Sequence, residues 1–196
     1  QSRRELACAM AHQASEDRAV ALLSERVNEL ETGGRKAIAA GRDDLAETIH
    51  SILLETGLSP RRLEVEVTES TIMSDQSRGL HILRKLKAMG ISVSMDDFGT
   101  GYSSLATLHA FPFDKIKLDQ SFVKRLPEDA AAAAIVRTVL ALGASLGMPV
   151  LAEGIETEAQ WQFLDDAGCA KGQGYLFARP ASLGQLPAAI DAAARF

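Results

Sequence analysis

Charged side chains in this sequence gather where apolar runs end. Glu66 and Glu69 fall in LEVEVTES (63–70), and Asp96 and Asp97 follow Ile91, Val93 and Met95. Lys117 and Asp119 close FDKIKLD, Glu153 and Glu156 close MPVLAEGIE, and Gln173 precedes GYLFARP. Two adjacent carboxylates are costly to keep ionised together unless a cation neutralises them. Carboxylates clustered without histidine suit hard divalent cations, Mg2+ or Mn2+. Two such ions a few ångströms apart could clamp a phosphodiester and activate water. Taken singly, each residue has a plainer reading. A DD pair can be a helix N-cap with a solvated neighbour, Glu69 a helix N-terminal acid, and Lys117 a snorkelling surface lysine. Gln173 alone signifies nothing. His12, His50, His81 and His109 fall in no metal-ligand spacing and read as structural.

The elements that must carry these groups alternate. A helix containing Ile49, Ile52 and Leu53 stops at Gly57, with Pro60 beyond it. In the next segment Leu63, Val65 and Val67 point one way and Glu64, Glu66 and Thr68 the other, as in a strand. A helix with Leu80, Leu83 and Leu86 ends at Gly90, and a strand then runs into Asp96-Asp97. The loop with Gly99 and Gly101 leads to a helix start at Ser103-Ser104. Further strands are predicted at Phe113–Leu118, in MPVLAEGIE and in GYLFARP. They are separated by a helix over Ala130–Leu146, which stops at Gly147, and by another with Trp161 and Leu164 that stops near Gly168. Strand–helix alternation at this spacing predicts right-handed βαβ units and a parallel sheet. The acids then share the C-terminal strand ends, where a β/α barrel builds its site and where an open doubly wound sheet also would.

The run DDFGTGYSSL (96–105) resembles the signature of EAL-domain proteins, bacterial phosphodiesterases that hydrolyse cyclic di-GMP. The EVTE, KLD, AEGIE and QGYLF segments follow in the family's order across about 49–185. The resemblance implies an α/β fold, a (β/α)8 barrel of EAL type, and two-metal hydrolysis of cyclic di-GMP to the linear dinucleotide with Mg2+ or Mn2+. It implies that Glu66, Asp96, Asp97 and Glu153 are metal ligands, with Asp96 bridging two ions. Lys117 then orients the attacking water, and Glu153 serves as ligand or general base. Asp119 and Gln173 line the substrate, and Glu69 and Glu156 support the site, Glu69 by holding the DDFGTGY loop.

Residues 1–48 differ in character: rich in Ala, Glu and Arg, without proline, and helical in periodicity. Val20, Leu23, Val27 and Leu30 form a short a/d seam, that of a packing helix or a short coiled coil. RRELACAMAHQ and KAIAAGRDDLAE resemble the helical hairpin of phage shock protein A. The family's Glu-Ala-Leu strand, the arginine after it and the strand with the asparagine ligand have no counterpart in the sequence. The expected architecture is therefore a helical segment over 1–48 and the C-terminal portion of an EAL barrel over 49–196, incomplete at its N-terminal side. About five strands are expected where a closed barrel of this kind needs eight. A truncated or fused chain, a catalytically inactive EAL-derived module for cyclic di-GMP binding or protein contact, and a homodimer whose N-terminal helices cover open sheet edges each fit that reading. The chain starts at Gln1 without methionine, as a fragment would.

Composition agrees with a soluble enzyme or binding domain. Of 196 residues 46% are hydrophobic and 24% charged, and the formal net charge is −5. That charge argues against a nucleic acid polymer or an anionic membrane surface as partner, so an anionic substrate needs local cationic help. Cys8 and Cys169 offer no disulfide framework. The absence of a membrane-length apolar run or signal-peptide pattern predicts a cytoplasmic protein.

Overall fold

The computed structural model describes residues 44–68, 71–72, 75–99 and 105–179. The Val20–Leu30 seam, Glu69, His12 and Cys8 lie outside them. The described elements are helix α1 (Asp44–Thr56), a 3-10 turn (Pro60–Arg62), strand β1 (Glu64–Thr68), α2 (Gln76–Ala88), β2 (Ser92–Phe98) and α3 (Leu105–Ala110). They continue with β3 (Lys115–Leu118), α4 (Gln120–Val123), α5 (Ala130–Leu146), β4 (Val150–Ala152), α6 (Glu158–Asp166) and β5 (Lys171–Gly172). The strands form one sheet in the order β1-β2-β3-β4-β5, and β2 to β5 pair in parallel.

The described residues divide into two compact units, those within 1–65 and 70–93 and those within 66–69 and 94–196. In the first, α1 buries Ala46, Ile49, Ile52 and Leu53, and α2 buries Ile82, Leu83 and Leu86. The i, i+3, i+4 spacing puts each set on one helix face. In the second, α5 turns Ala132, Val136, Val139, Leu140 and Gly143 inward over β3 and β4. Ile116, Leu118, Val150 and Ala152 of those strands are buried. Gly143 permits that approach, because a Cβ there would stand 2.5 Å from Val150 Cγ2.

Helix ends follow their local chemistry. Asp129 caps α5 by accepting from the N–H groups of Ala131 and Ala132, and Gly147 ends it in the left-handed region at φ 68°. Thr157 and Gln160 form a capping box on α6. The expected strand in GYLFARP is corrected. The strand is Lys171–Gly172, before Gln173, and the segment after it turns, with the N–H groups of Phe177 and Ala178 donating to Gly174 O. The cause is Gly174, whose missing side chain lets the chain press against the Ile155 backbone, while Leu176 N–H donates to Ile155 O. Gln173 therefore stands just beyond a strand end, as the acids do.

Candidate functional site

Lys117 is the hub. It sits on β3 opposite Leu151 of β4, with its side chain only 6% exposed. Its Nζ lies 2.7 Å from Glu66 Oε1, 2.8 Å from Glu153 Oε1 and 3.1 Å from Asp96 Oδ1. Burial works against its charge, but the carboxylates of Glu153, Glu66 and Asp96 around it outweigh that and hold the ammonium above its usual range. Glu66 belongs to β1, where the alternation that buries Val67 turns the acid out, its side chain 48% exposed. Glu153 follows β4 directly, its N–H donating to Leu118 O, and Gln173 Nε2 donates to Glu153 Oε1 at 2.7 Å. Burial raises the Glu153 carboxyl above the ordinary range. Lys117 pulls it down, and Asp96 and Glu66 push it further up.

The two aspartates owe their placement to a register shift. Met95 pairs with Ile116 and Phe98 with Leu118, so Asp96 and Asp97 together occupy the register position opposite Lys117. Such an insertion re-aims side chains that would otherwise alternate between faces. Asp97 sits at φ 55°, the one positive-φ residue besides glycine among those described. Burial, Asp96 and Asp119, in that order, raise its carboxyl, which also hydrogen bonds to Asp119. Asp119 caps α4 through the N–H of Ser121 at 2.9 Å. Asp96 Oδ1 is buried, and its pairing with Lys117 is ionic without an aligned hydrogen bond.

Of the residues singled out from sequence, Glu66, Asp96, Lys117 and Glu153 therefore meet directly, Gln173 joins through Glu153, and Asp97 pairs with Asp119. Glu156 is exposed, its backbone N–H taken by Gln160 Oε1, and does not join them. His50, His81 and His109 are exposed. Glu69 lies outside the described residues. The contacts of Gln173 with Glu153 and of Asp97 with Asp119 had no signal in the sequence beyond strand-end position.

The donor set is all hard oxygen, anionic in excess over one ammonium, with a buried carboxylate oxygen that lacks a hydrogen bond. In kind this fits a divalent cation. Among the described residues no three acidic, His or Cys groups converge on a common ligand point. The carboxylates converge on Lys117 instead.

A parallel β/α sheet with carboxylates and a lysine at its C-terminal strand ends defines the class as an α/β protein with an acidic site. The chain belongs to the EAL domain family, which it matches over residues 11–180. It is 55% identical over 142 residues to an uncharacterized signaling protein of Caulobacter vibrioides, covering 72% of this chain and 18% of that one. It is 46% identical over 146 residues to MucR of Pseudomonas aeruginosa, a bifunctional diguanylate cyclase/cyclic di-GMP phosphodiesterase, covering 74% and 21%. The chain thus spans about a fifth of these curated relatives. The solved complex of PaMucR phosphodiesterase with c-di-GMP matches with a TM-score of 0.73 at 36% identity, over 94% of this chain and 76% of that one. BlrP1 of Klebsiella pneumoniae, solved with manganese and cyclic di-GMP, matches with a TM-score of 0.69 at 31% identity, over 86% and 46%; it was also solved with calcium. The sheet is accordingly part of an EAL-type barrel. The similarity of residues 1–48 to phage shock protein A is not borne out, since the EAL match begins at residue 11.

Proposed function

We propose that this chain carries the lysine-and-carboxylate half of a cyclic di-GMP phosphodiesterase site and binds that dinucleotide. The observation that carries the reading is Lys117 bonded at once to Glu66, Asp96 and Glu153. In this reading Glu66, Asp96, Asp97 and Glu153 hold Mg2+ or Mn2+, which would supply Lewis-acid activation of water and neutralisation at the phosphate. Lys117 orients the attacking water through its N–H donors. Glu153 accepts the water proton at its carboxylate, with Gln173 fixing Oε1 so that the other oxygen faces the reactants. Asp119 and Gln173 border the substrate, and Glu69 supports the site. We place the protein in the cytoplasm; no helix among the described residues is long and apolar enough to cross a membrane.

In this reading the family's Glu-Ala-Leu strand and asparagine-ligand strand have no counterpart in the chain, whose 196 residues lack a Glu-Ala-Leu tripeptide. A two-metal hydrolysis gains its rate from holding water, ions and phosphate in register, so the chain alone binds the dinucleotide and turns it over slowly. Product chromatography with Mn2+, beside a complete EAL domain at equal concentration, tests this. Turnover should fall at least a hundredfold below the control. Turnover within tenfold of it, abolished by Lys117→Ala, would show that other residues of this chain replace the absent ligands. The second reading is an inactive module for cyclic di-GMP binding, favoured by those absent ligands. It gives saturable binding with no product at any Mn2+ concentration.

A further inference from the structure

Resting on the reading that this chain binds a cyclic dinucleotide, we propose that Tyr175 and Arg179 form a purine-base subsite beside the acidic cluster. The Tyr175 ring stacks a base, and the Arg179 guanidinium steadies that ring and attracts the phosphate. The guanidinium carbon of Arg179 lies 4.4 Å from the centroid of the Tyr175 ring, close enough for a cation–π contact. Tyr175 nevertheless remains 53% exposed, the one aromatic among the exposed large hydrophobic residues described. A cation covering one face of a ring leaves the other face to a ligand. Nucleobases fit it, because each has a π-face that stacks on aromatic side chains.

The loop that carries the pair is firmly built and lies against the acidic cluster. Gln173 N–H donates to Ala152 O, Ile155 N–H to Gln173 O and Leu176 N–H to Ile155 O, at 2.9, 3.1 and 3.0 Å. Phe177 meets Trp161 edge-on, with ring centroids 5.4 Å apart. These contacts tie residues 173–177 to the segment bearing Glu153, which Gln173 Nε2 also holds. Two residues span at most about 7 Å of chain, so Tyr175 is within reach of a base whose phosphate lies at Glu153. The phosphate also needs a cation that the cluster does not spare. Lys117 is engaged by three carboxylates and Arg125 by Asp129. Arg179 has no ion pair or hydrogen bond among the described residues, so its five N–H donors stay open.

The test titrates cyclic di-GMP calorimetrically into the full chain and into Tyr175→Leu, Tyr175→Phe and Arg179→Gln. Both side chains are exposed, so the variants should melt within a few degrees of the unaltered chain. Tyr175→Leu should bind at least tenfold more weakly at every ionic strength, while Tyr175→Phe, which keeps the ring, should bind within twofold. Arg179→Gln should bind at least threefold more weakly at low salt, and that gap should narrow in 0.5 M NaCl, as a charge effect does (about 4 Å of screening length). Stacking also has its own signature. The guanine H8 resonance should move upfield on binding to the unaltered chain and to Tyr175→Phe. Undiminished binding by Tyr175→Leu, or equal losses in Tyr175→Leu and Tyr175→Phe, would overturn the subsite and leave the dinucleotide reading standing. Undiminished binding by Arg179→Gln would overturn the pairing of the two residues. No binding to the unaltered chain would overturn the dinucleotide reading and the subsite together.

Discussion

Asp97 holds a backbone conformation that most side chains avoid and a carboxyl crowded by two others. Aspartate and asparagine tolerate the left-handed region better than other L residues, since their short polar side chains bond locally. What the fold does not relieve is the charge, pushed toward its neutral form by burial, by Asp96 and by Asp119. Strain kept at such a point signals a use for it, and the use proposed is cation binding. Asp97→Asn preserves the backbone preference and removes the repulsion. In EDTA at pH 7 it should therefore melt above the unaltered chain, as followed by circular dichroism, while binding Mn2+ more weakly. A lower melting temperature in EDTA would mean that the attraction between the Asp97 charge and Lys117 outweighs the crowding.

At the scale of elements, α5 shows what was legible. Its alanine-rich run, Asp129 before it and Gly147 after it are cap and propensity signals carried by neighbouring residues, and the helix has the predicted limits. The GYLFARP segment misled because its apolar alternation imitates a strand, whereas the turn there depends on Gly174 meeting Ile155, 19 residues away in the chain. The site divides in the same way. Strand-end acids could be read from the sequence, but the shift that sets Asp96 and Asp97 together opposite Lys117 is a property of β2 against β3.

The same helix yields two element-scale predictions. The N–H of Ala132, the largest of several contacts, lowers the Asp129 carboxyl below its ordinary 3.8. A lowered carboxylate contributes stability above that value and loses it as pH falls through the folded-state value. Asp129→Ala should thus melt below the unaltered chain at pH 7, and the gap should close toward pH 3 in paired thermal melts. A gap that is constant with pH would show that the cap acts without its charge. The two glycines of this region should also differ. Gly143→Ala forces a Cβ to 2.8 Å from Met148 O and onto Val150, an overpacking that costs about 1–3 kcal/mol. Gly147→Ala has open space and only its φ of 68° to answer for, about 1 kcal/mol. Urea titrations of both should rank them in that order.

For the whole molecule, the sheet itself sets the expectation. Its order places β1 and β5 at the two edges, and among the described residues neither has a further strand beside it. An edge strand presents unpaired N–H and C=O groups that invite another chain unless something covers them. β5 is blunted by its length of two residues, but β1 runs for five, Glu64–Thr68, with Val65 and Thr68 only half-buried. Glu64 and Glu66 are the charges that guard it, and Lys117 neutralises one of them. We therefore expect the chain to self-associate, with β1 as the contact. Light scattering across a dilution series should show a dimer or larger species that gives way to monomer at low concentration. Replacing Val65 with lysine puts a charge in the middle of that edge and should shift the series toward monomer without lowering the melting temperature by more than a few degrees. A chain that is monomeric at every concentration would refute the expectation and would assign the covering of β1 to residues of the same chain.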